Sequence, residues 1–179
     1  KRTPYIGYIG TEYQKLTIDI QKVQRTDDNQ YDVSGITAVK SNRCNFHGTI
    51  DIVENREFTH PTYGVDDSMK GQFKRRGCSI AKYNFEEENS QTGSGVFTGY
   101  LLFYWYENND GKFVYDDIDS HSDSYCNNQY AGTWTSNKTK KSKPCAWGQY
   151  RVPNSGDLDI GAGDFSVNPK YAKNGWEKK

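Results

Sequence analysis

Several strand-like segments of this chain carry a large apolar residue two positions before a glycine. The pattern occurs at Val33-Ser34-Gly35, Phe46-His47-Gly48, Phe97-Thr98-Gly99 and Tyr130-Ala131-Gly132. A glycine inside a strand removes the Cβ and permits a sharp bend, and such bends turn the corners that a closed barrel needs. The spacing between the segments is too irregular for a solenoid or a propeller. The pattern therefore favours a β-barrel, in which closure also removes exposed strand edges.

Alternation of polar and apolar residues predicts the strands themselves. Leu16, Ile18 and Ile20 alternate with polar residues, which is typical of a strand with one buried face. Short polar turns, such as the Asn-Asn-Asp-Gly run at 108–111, separate segments of this kind and indicate an antiparallel meander. The least regular stretch, near 54–72, is predicted to be a long loop.

The residue composition agrees with an all-β fold. Val, Ile, Thr, Tyr, Phe and Trp together number 58, whereas Leu, Ala and Met number 11. The first group packs well on pleated surfaces and the second builds helices, so a helical bundle is excluded. We predict a single all-β domain over residues 1–179. It is an antiparallel meander of about 8–10 strands that closes into a β-barrel or barrel-like sandwich, with little helix.

Charge and chain length limit the class of partner. Lys+Arg and Asp+Glu balance at 23 each, which argues against a nucleic-acid-binding protein with a basic face. The longest apolar run, 100–106, is far shorter than the ~20 residues of a membrane span. The chain begins Lys1-Arg2-Thr3-Pro4, with no initiator Met and no signal-like segment. Such a start fits either a mature product whose leader was removed or a trimmed chain.

The cysteines favour an exported protein. Cys44, Cys78, Cys126 and Cys145 form no C-x-x-C pair, so a zinc site is not expected, and their even number suits two disulfides. We expect a Cys126–Cys145 bond, which would tie the two ends of one hairpin, and a Cys44–Cys78 bond. The alternative is four buried free thiols in a cytosolic protein. The predicted localisation is secreted or periplasmic.

One acidic segment is a candidate cation site. Asp116, Asp117, Asp119 and Asp123 place four carboxylates within eight residues, and hard oxygen ligands of this kind suit Ca²⁺. The spacing fits no EF-hand loop, because the glycine at the sixth position and the terminal Glu are missing. A solvated hairpin end is the alternative interpretation. Ca²⁺ is the one cofactor that the sequence suggests.

A second acidic segment, 155–165, combines aspartates with three glycines. In a strand, Asp157 and Asp159 would share one face, because side chains alternate with a period of two. This face could hold a cation or present paired carboxylates for acid–base chemistry. The alternative is a structural loop whose Asp side chains accept hydrogen bonds from nearby backbone N–H groups.

Sequence motifs for catalysis are missing. The histidines, His47, His60 and His121, accompany no nucleophile elbow of the G-x-S-x-G type, and no phosphate-binding motif occurs. We therefore expect a protein that is not an enzyme.

Aromatic residues are the remaining functional candidates. Because leucine is scarce, most of the rings must form the core. Tyr and Trp are favoured at binding surfaces, since they bury a large area with few rotatable bonds. We expect the face of Tyr104 and Tyr106, together with Trp134 and Trp147, to form a binding surface.

In its mid-strand glycines and in Gly132-Thr133-Trp134, the chain resembles calycin-type barrels, the group that contains lipocalins and avidins. The resemblance covers architecture and a few tripeptides, and the Gly-x-Trp usual near the N-terminus of that group is absent. It implies a closed barrel, and no binding residues are carried over.

The sequence thus predicts a non-catalytic, exported binding protein. The expected partner is a protein, as for an inhibitor or immunity-type module, because charged loops at 116–123 and 138–143 accompany aromatic patches. One alternative is a carrier that holds a small apolar or glycan ligand in an aromatic-lined barrel. The other is a metal-assisted hydrolase that uses the acidic segments.

Overall fold

The protein forms an antiparallel β-barrel with one additional strand. The structure, a computed structural model, describes residues 3–177. The strands in this range are β1 (Tyr5–Ile9), β2 (Gln14–Arg25), β3 (Gln30–Val39), β4 (Asn42–Glu57), β5 (Phe73–Glu87), β6 (Gly95–Asn108), β7 (Phe113–Tyr115), β8 (Asn127–Ser136) and β9 (Ser142–Gln149). Two short 3₁₀ helices cover Val65–Asp67 and Pro169–Asn174.

Eight strands close the barrel as an up-and-down meander. Consecutive strands pair from β1 to β6, β6 pairs with β8, and β8 pairs with β9. The barrel closes where β9 pairs with β1, in a register that runs from Tyr5 opposite Gln149 to Ile9 opposite Cys145. β7 pairs with β6 beyond the end of the β6–β8 ladder. The prediction of an all-β meander that closes into a barrel is confirmed.

Two predicted segment boundaries differ from the structure. β4 continues through Glu57, so the predicted long loop near 54–72 is shorter and covers 58–72 around one 3₁₀ turn. The second acidic segment, 155–165, for which a strand is one interpretation, contributes only an isolated bridge between Asp159 and Val167. Among the described residues, no helix is long and apolar enough to cross a membrane.

The mid-strand glycines make room for rings inside the barrel. Gly99 and Gly132 face each other across β6 and β8, and a Cβ on either would lie within 2.8 Å of the Tyr83 hydroxyl. A Cβ on Gly35 would lie 2.9 Å from the ring of Phe46. At each of these glycines, an aromatic ring from another strand fills the space that a side chain would occupy.

Residues after β9 pack against the outside of the barrel wall. Val152 and Leu158 are buried against Tyr8 of β1. Trp176 donates its indole N–H to the backbone carbonyl of Tyr13 at 2.8 Å. Together these residues form a second apolar cluster, outside the barrel core, that covers the outer face of β1. Both faces of β1 are therefore apolar.

The predicted disulfides are absent, because the barrel register separates their cysteines. All four cysteines are free thiols. Cys78 lies opposite Arg56, twelve positions along β4 from Cys44, which is about 40 Å of extended strand. The Cα atoms of a disulfide lie within about 7 Å of each other, so the Cys44–Cys78 prediction is wrong for this structure.

The same geometry overturns the Cys126–Cys145 pair. Cys145 lies opposite Gly132 on β8. Cys126 lies just before β8 begins, six positions from that glycine, which is about 20 Å of extended chain. Cys145 points into the core, where burial raises the pKa of its thiol to about 12. It is therefore a protonated core residue at neutral pH.

Candidate functional site

One end of the barrel opens into a cavity. We call the end at which β1 begins, and at which the turn from β2 to β3 lies, the open end. The opposite end is the one at which β1 ends and β2 begins. A cavity of about 640 Å³ extends from the open end into the barrel, and we call it the mouth cavity. Its lining is Thr3, Pro4, Tyr5, Thr17, Ile18, Asp19, Ile20, Val23, Tyr31, Ile50, Ile52, Leu101, Phe103, Asn128, Tyr130 and Gln149. The volume lies within the range of small-molecule sites, about 300–1,000 Å³.

Apolar side chains make up the wall of the mouth cavity. Ile18 and Leu101 are buried. Ile52 and Phe103 are partly exposed, and Val23 is 51% exposed. These residues face inward because side chains alternate along each strand. An apolar ligand that entered here would replace water along the whole wall.

Aromatic rings form the floor of the mouth cavity and fill the barrel below it. Tyr130 lines the cavity and stacks on Trp147, with ring centroids 4.7 Å apart and an interplanar angle of 15°. Trp147 also contacts Tyr83 edge to face at 5.1 Å and Phe97 at 5.8 Å. The stack couples the cavity floor to a buried tryptophan, so occupancy of the cavity should be visible in the fluorescence of Trp147.

The floor carries no charge at neutral pH. Burial raises the pKa of the Tyr130 phenol well above its ordinary value, with smaller contributions from Tyr5 and Tyr83. Burial likewise raises the pKa of Tyr83, with contributions from Cys145. The indole N–H of Trp147 is buried without a hydrogen-bond partner among residues 3–177. The deep part of the mouth cavity is therefore a neutral, weakly polar environment.

A small polar network lies on one side of the rim. Gln149 donates to the backbone carbonyl of Thr3 at 3.1 Å and accepts from the Tyr115 hydroxyl at 2.8 Å and the Asn128 amide at 2.9 Å. In the described part of the chain, Asp19 is the only lining residue with a charged side chain. The mouth cavity thus combines an apolar wall with a few neutral polar groups, as ligand sites commonly do.

The four predicted aromatic binding residues do not form one surface. Trp147 is fully buried in the core, so its place in an exposed binding face is a misassignment. Trp134 lies at the opposite end of the barrel. Tyr104 lines a different cavity, beside Arg76, and Tyr106 packs against Phe73 with ring centroids 6.0 Å apart. Sequence alternation alone did not distinguish the barrel interior from its outside.

The first acidic segment is tied to an arginine. Asp116 is 1% exposed and holds the guanidinium of Arg76 through two hydrogen bonds, the shorter at 2.5 Å. Asp119 accepts from the same guanidinium at 2.7 Å. Burial alone would lower the pKa of Arg76, but the hydrogen bonds and charges of the two carboxylates outweigh it, and the pKa is raised.

This pairing changes the interpretation of the predicted Ca²⁺ ligands. Asp116 and Asp119 direct oxygens to Arg76, and neither Asp117 nor Asp123 joins them in an ion pair. Within residues 3–177, no group of three or more His, Cys, Asp or Glu side chains is placed to hold a metal ion. The arrangement is that of a buried salt bridge rather than a cation site.

The second acidic segment is a hydrogen-bonded loop. Asp159 accepts from the backbone N–H groups of Gly161 and Ser166, both at 3.0 Å, and pairs with Arg151 at 2.8 Å. Asp157 instead contacts Lys170 and Tyr171 on the exposed surface. The two carboxylates have different partners, which corresponds to the structural-loop alternative and not to a catalytic pair.

No sequence motif marks the aliphatic residues of the mouth cavity. Ile18 and Ile20 were predicted to be on the buried face of a strand, and Ile50 and Ile52 have the same alternation. The sequence signal for these lining residues is the alternation itself, which places them inside the barrel once the sheet closes. What the sequence does not reveal is where the rings stop filling the barrel, because that depends on the three-dimensional stack below Tyr130.

Comparisons with known proteins give no relatives. No family model matches the sequence, and no match is found among curated proteins or solved structures. The resemblance to calycin-type barrels therefore stays an expectation from the sequence.

Proposed function

We propose that this protein binds a small, largely apolar ligand in the mouth cavity and acts without catalysis. The observation that carries the proposal is an open cavity of about 640 Å³ inside the barrel, walled by isoleucine, leucine and phenylalanine side chains. Transfer of apolar surface from water into such a wall is favourable by roughly 25 cal/mol per Å². Of the binding functions expected from the sequence, this geometry favours the small-ligand carrier.

The wall chemistry narrows the ligand class. A polar group that is buried without a hydrogen bond is costly. A glycan hydroxyl would meet no partner at Ile18, Ile50 and Leu101, because the neutral polar groups lie on one side of the rim. An apolar ligand is therefore favoured over a glycan. A protein partner and a secreted or periplasmic localisation remain predictions, and the localisation no longer has the support of disulfides.

Filling the upper part of the mouth cavity should weaken binding. We expect N-phenyl-1-naphthylamine, a neutral fluorescent probe, to bind with a Kd of about 10 µM, since roughly 0.4 kcal/mol for each non-hydrogen atom is typical of such ligands. Ile52→Trp places an indole in the upper part of the cavity and should weaken binding about tenfold or more. Probe fluorescence titrations measure both constants.

The neighbouring residue provides a matched control. Val53 is 51% exposed and is not among the lining residues, so Val53→Trp adds the same ring outside the cavity and should leave the Kd unchanged. Circular dichroism checks that both variants fold. Equal affinity of Ile52→Trp and the unmodified protein, or no saturable binding by the unmodified protein, would contradict the proposal.

A further inference from the structure

A second cavity at the opposite end of the barrel contains a buried acidic residue. Glu87, the last residue of β5, is 6% exposed and lines a cavity of about 360 Å³ that we call the Glu87 cavity. Its lining also includes Thr37, Phe97, Trp134 and Lys143. This cavity is separated from the mouth cavity by the aromatic rings of the core.

Neutral donors hold the Glu87 carboxylate. Oε1 accepts from the hydroxyl of Thr37, and Oε2 accepts from the backbone N–H of Gly95 at 2.8 Å and the indole N–H of Trp134 at 3.0 Å. No cationic nitrogen within residues 3–177 forms an ion pair with this carboxylate. A carboxylate has about four acceptor positions, so one position on Oε1 is left for a further donor.

The surroundings of that position suit an organic cation. A buried charge without an opposite charge is costly, and a ligand ammonium would supply one. The rings of Trp134 and Phe97 line the same cavity, and aromatic faces attract cations. The ammonium of Lys143 already lies 5.9 Å from the Trp134 ring centroid, but its side chain is exposed and does not reach Glu87.

We propose that the Glu87 cavity binds the primary ammonium group of a small molecule. The ammonium donates one hydrogen bond to Oε1 of Glu87, and its short apolar chain lies against Phe97 and Trp134. Lys143, at the entrance, repels the ligand weakly. This site is independent of the mouth cavity and does not rest on the function proposed for it.

A pair of isosteric probes tests the proposal. Butylammonium and 1-butanol have the same length and differ in charge, and the indole N–H resonance of Trp134 reports on the hydrogen bond to Glu87. We expect a saturable shift of this resonance with butylammonium, and an affinity about tenfold or more above that of 1-butanol. Absence of a saturable shift, or equal affinities for the two probes, would overturn the proposal.

Variants on either side of the cavity complete the test. Glu87→Gln keeps the size of the side chain and should weaken butylammonium about tenfold or more, whereas Lys143→Ala should strengthen it about threefold. Unchanged affinity in a folded Glu87→Gln variant contradicts the site. If that variant does not fold, the isosteric pair on the unmodified protein and on Lys143→Ala decides the question. Ile52→Trp should leave butylammonium binding unchanged.

Discussion

Asp116→Ala should lower the free energy of unfolding by about 3–5 kcal/mol, because it leaves the buried guanidinium of Arg76 without its main partner. The side chain of Arg76 is 8% exposed and that of Asp116 is 1% exposed. The remaining contacts of Arg76, to Asp119 and to Thr62, lie on the more exposed side of the group.

Chemical denaturation followed by circular dichroism measures this loss. Glu54→Ala is the control, since it also removes a carboxylate paired with an arginine, Arg56, but on the exposed surface. The control should leave the denaturation midpoint unchanged, because exposed ion pairs contribute little. A loss of less than about 1 kcal/mol in Asp116→Ala would show that the pair is not buried as described.

Trp147→Ala should be comparably destabilising, by about 3–5 kcal/mol, which is typical of a large buried aromatic residue. Trp147 is fully buried and contacts the rings of Tyr83, Phe97 and Tyr130. Its removal leaves a cavity under the floor of the mouth cavity. The loss therefore combines reduced burial with the cost of that empty space.

Tyr100→Ala is the matched control for this prediction. Tyr100 is 55% exposed on the outer face of β6, so its truncation should change the free energy of unfolding by about 0.5 kcal/mol or less. Both variants are compared by urea denaturation at equal protein concentration. Equal effects of the two substitutions would contradict the position of Trp147 at the centre of the core.

Local pattern was sufficient to predict the architecture of this protein. The alternation in β2 and the mid-strand glycines at Gly35, Gly99 and Gly132 predict a bent, closed sheet, and the structure places rings at these glycines. The disulfides were mispredicted because pairing depends on register along whole strands. Local sequence does not specify that register, and in the structure it separates Cys44 from Cys78.

The candidate sites were harder to predict for a related reason. The acidic segment that begins at Asp116 has the composition of a cation site. In the structure, Asp116 instead pairs with Arg76, which lies 40 positions away in the sequence. Glu87 ends a strand in a run of three glutamates, and alternation with Phe85 puts it on the buried face. Its partners Thr37 and Trp134, however, lie 50 and 47 positions away in the sequence. The mouth cavity depends on where the stack of Tyr130 and Trp147 ends, which is a property of packing rather than of sequence pattern.

Isoleucine methyl groups provide the most direct test of the proposed function. The chain has ten isoleucines, and those in the lining of the mouth cavity are Ile18, Ile20, Ile50 and Ile52. With ¹³C-labelled isoleucine δ1 methyls and saturating N-phenyl-1-naphthylamine, these four resonances should shift. Those of Ile6, Ile9, Ile36, Ile80, Ile118 and Ile160 should not. Shifts confined to the second group, or no saturable shift in the first, would contradict ligand binding in the barrel.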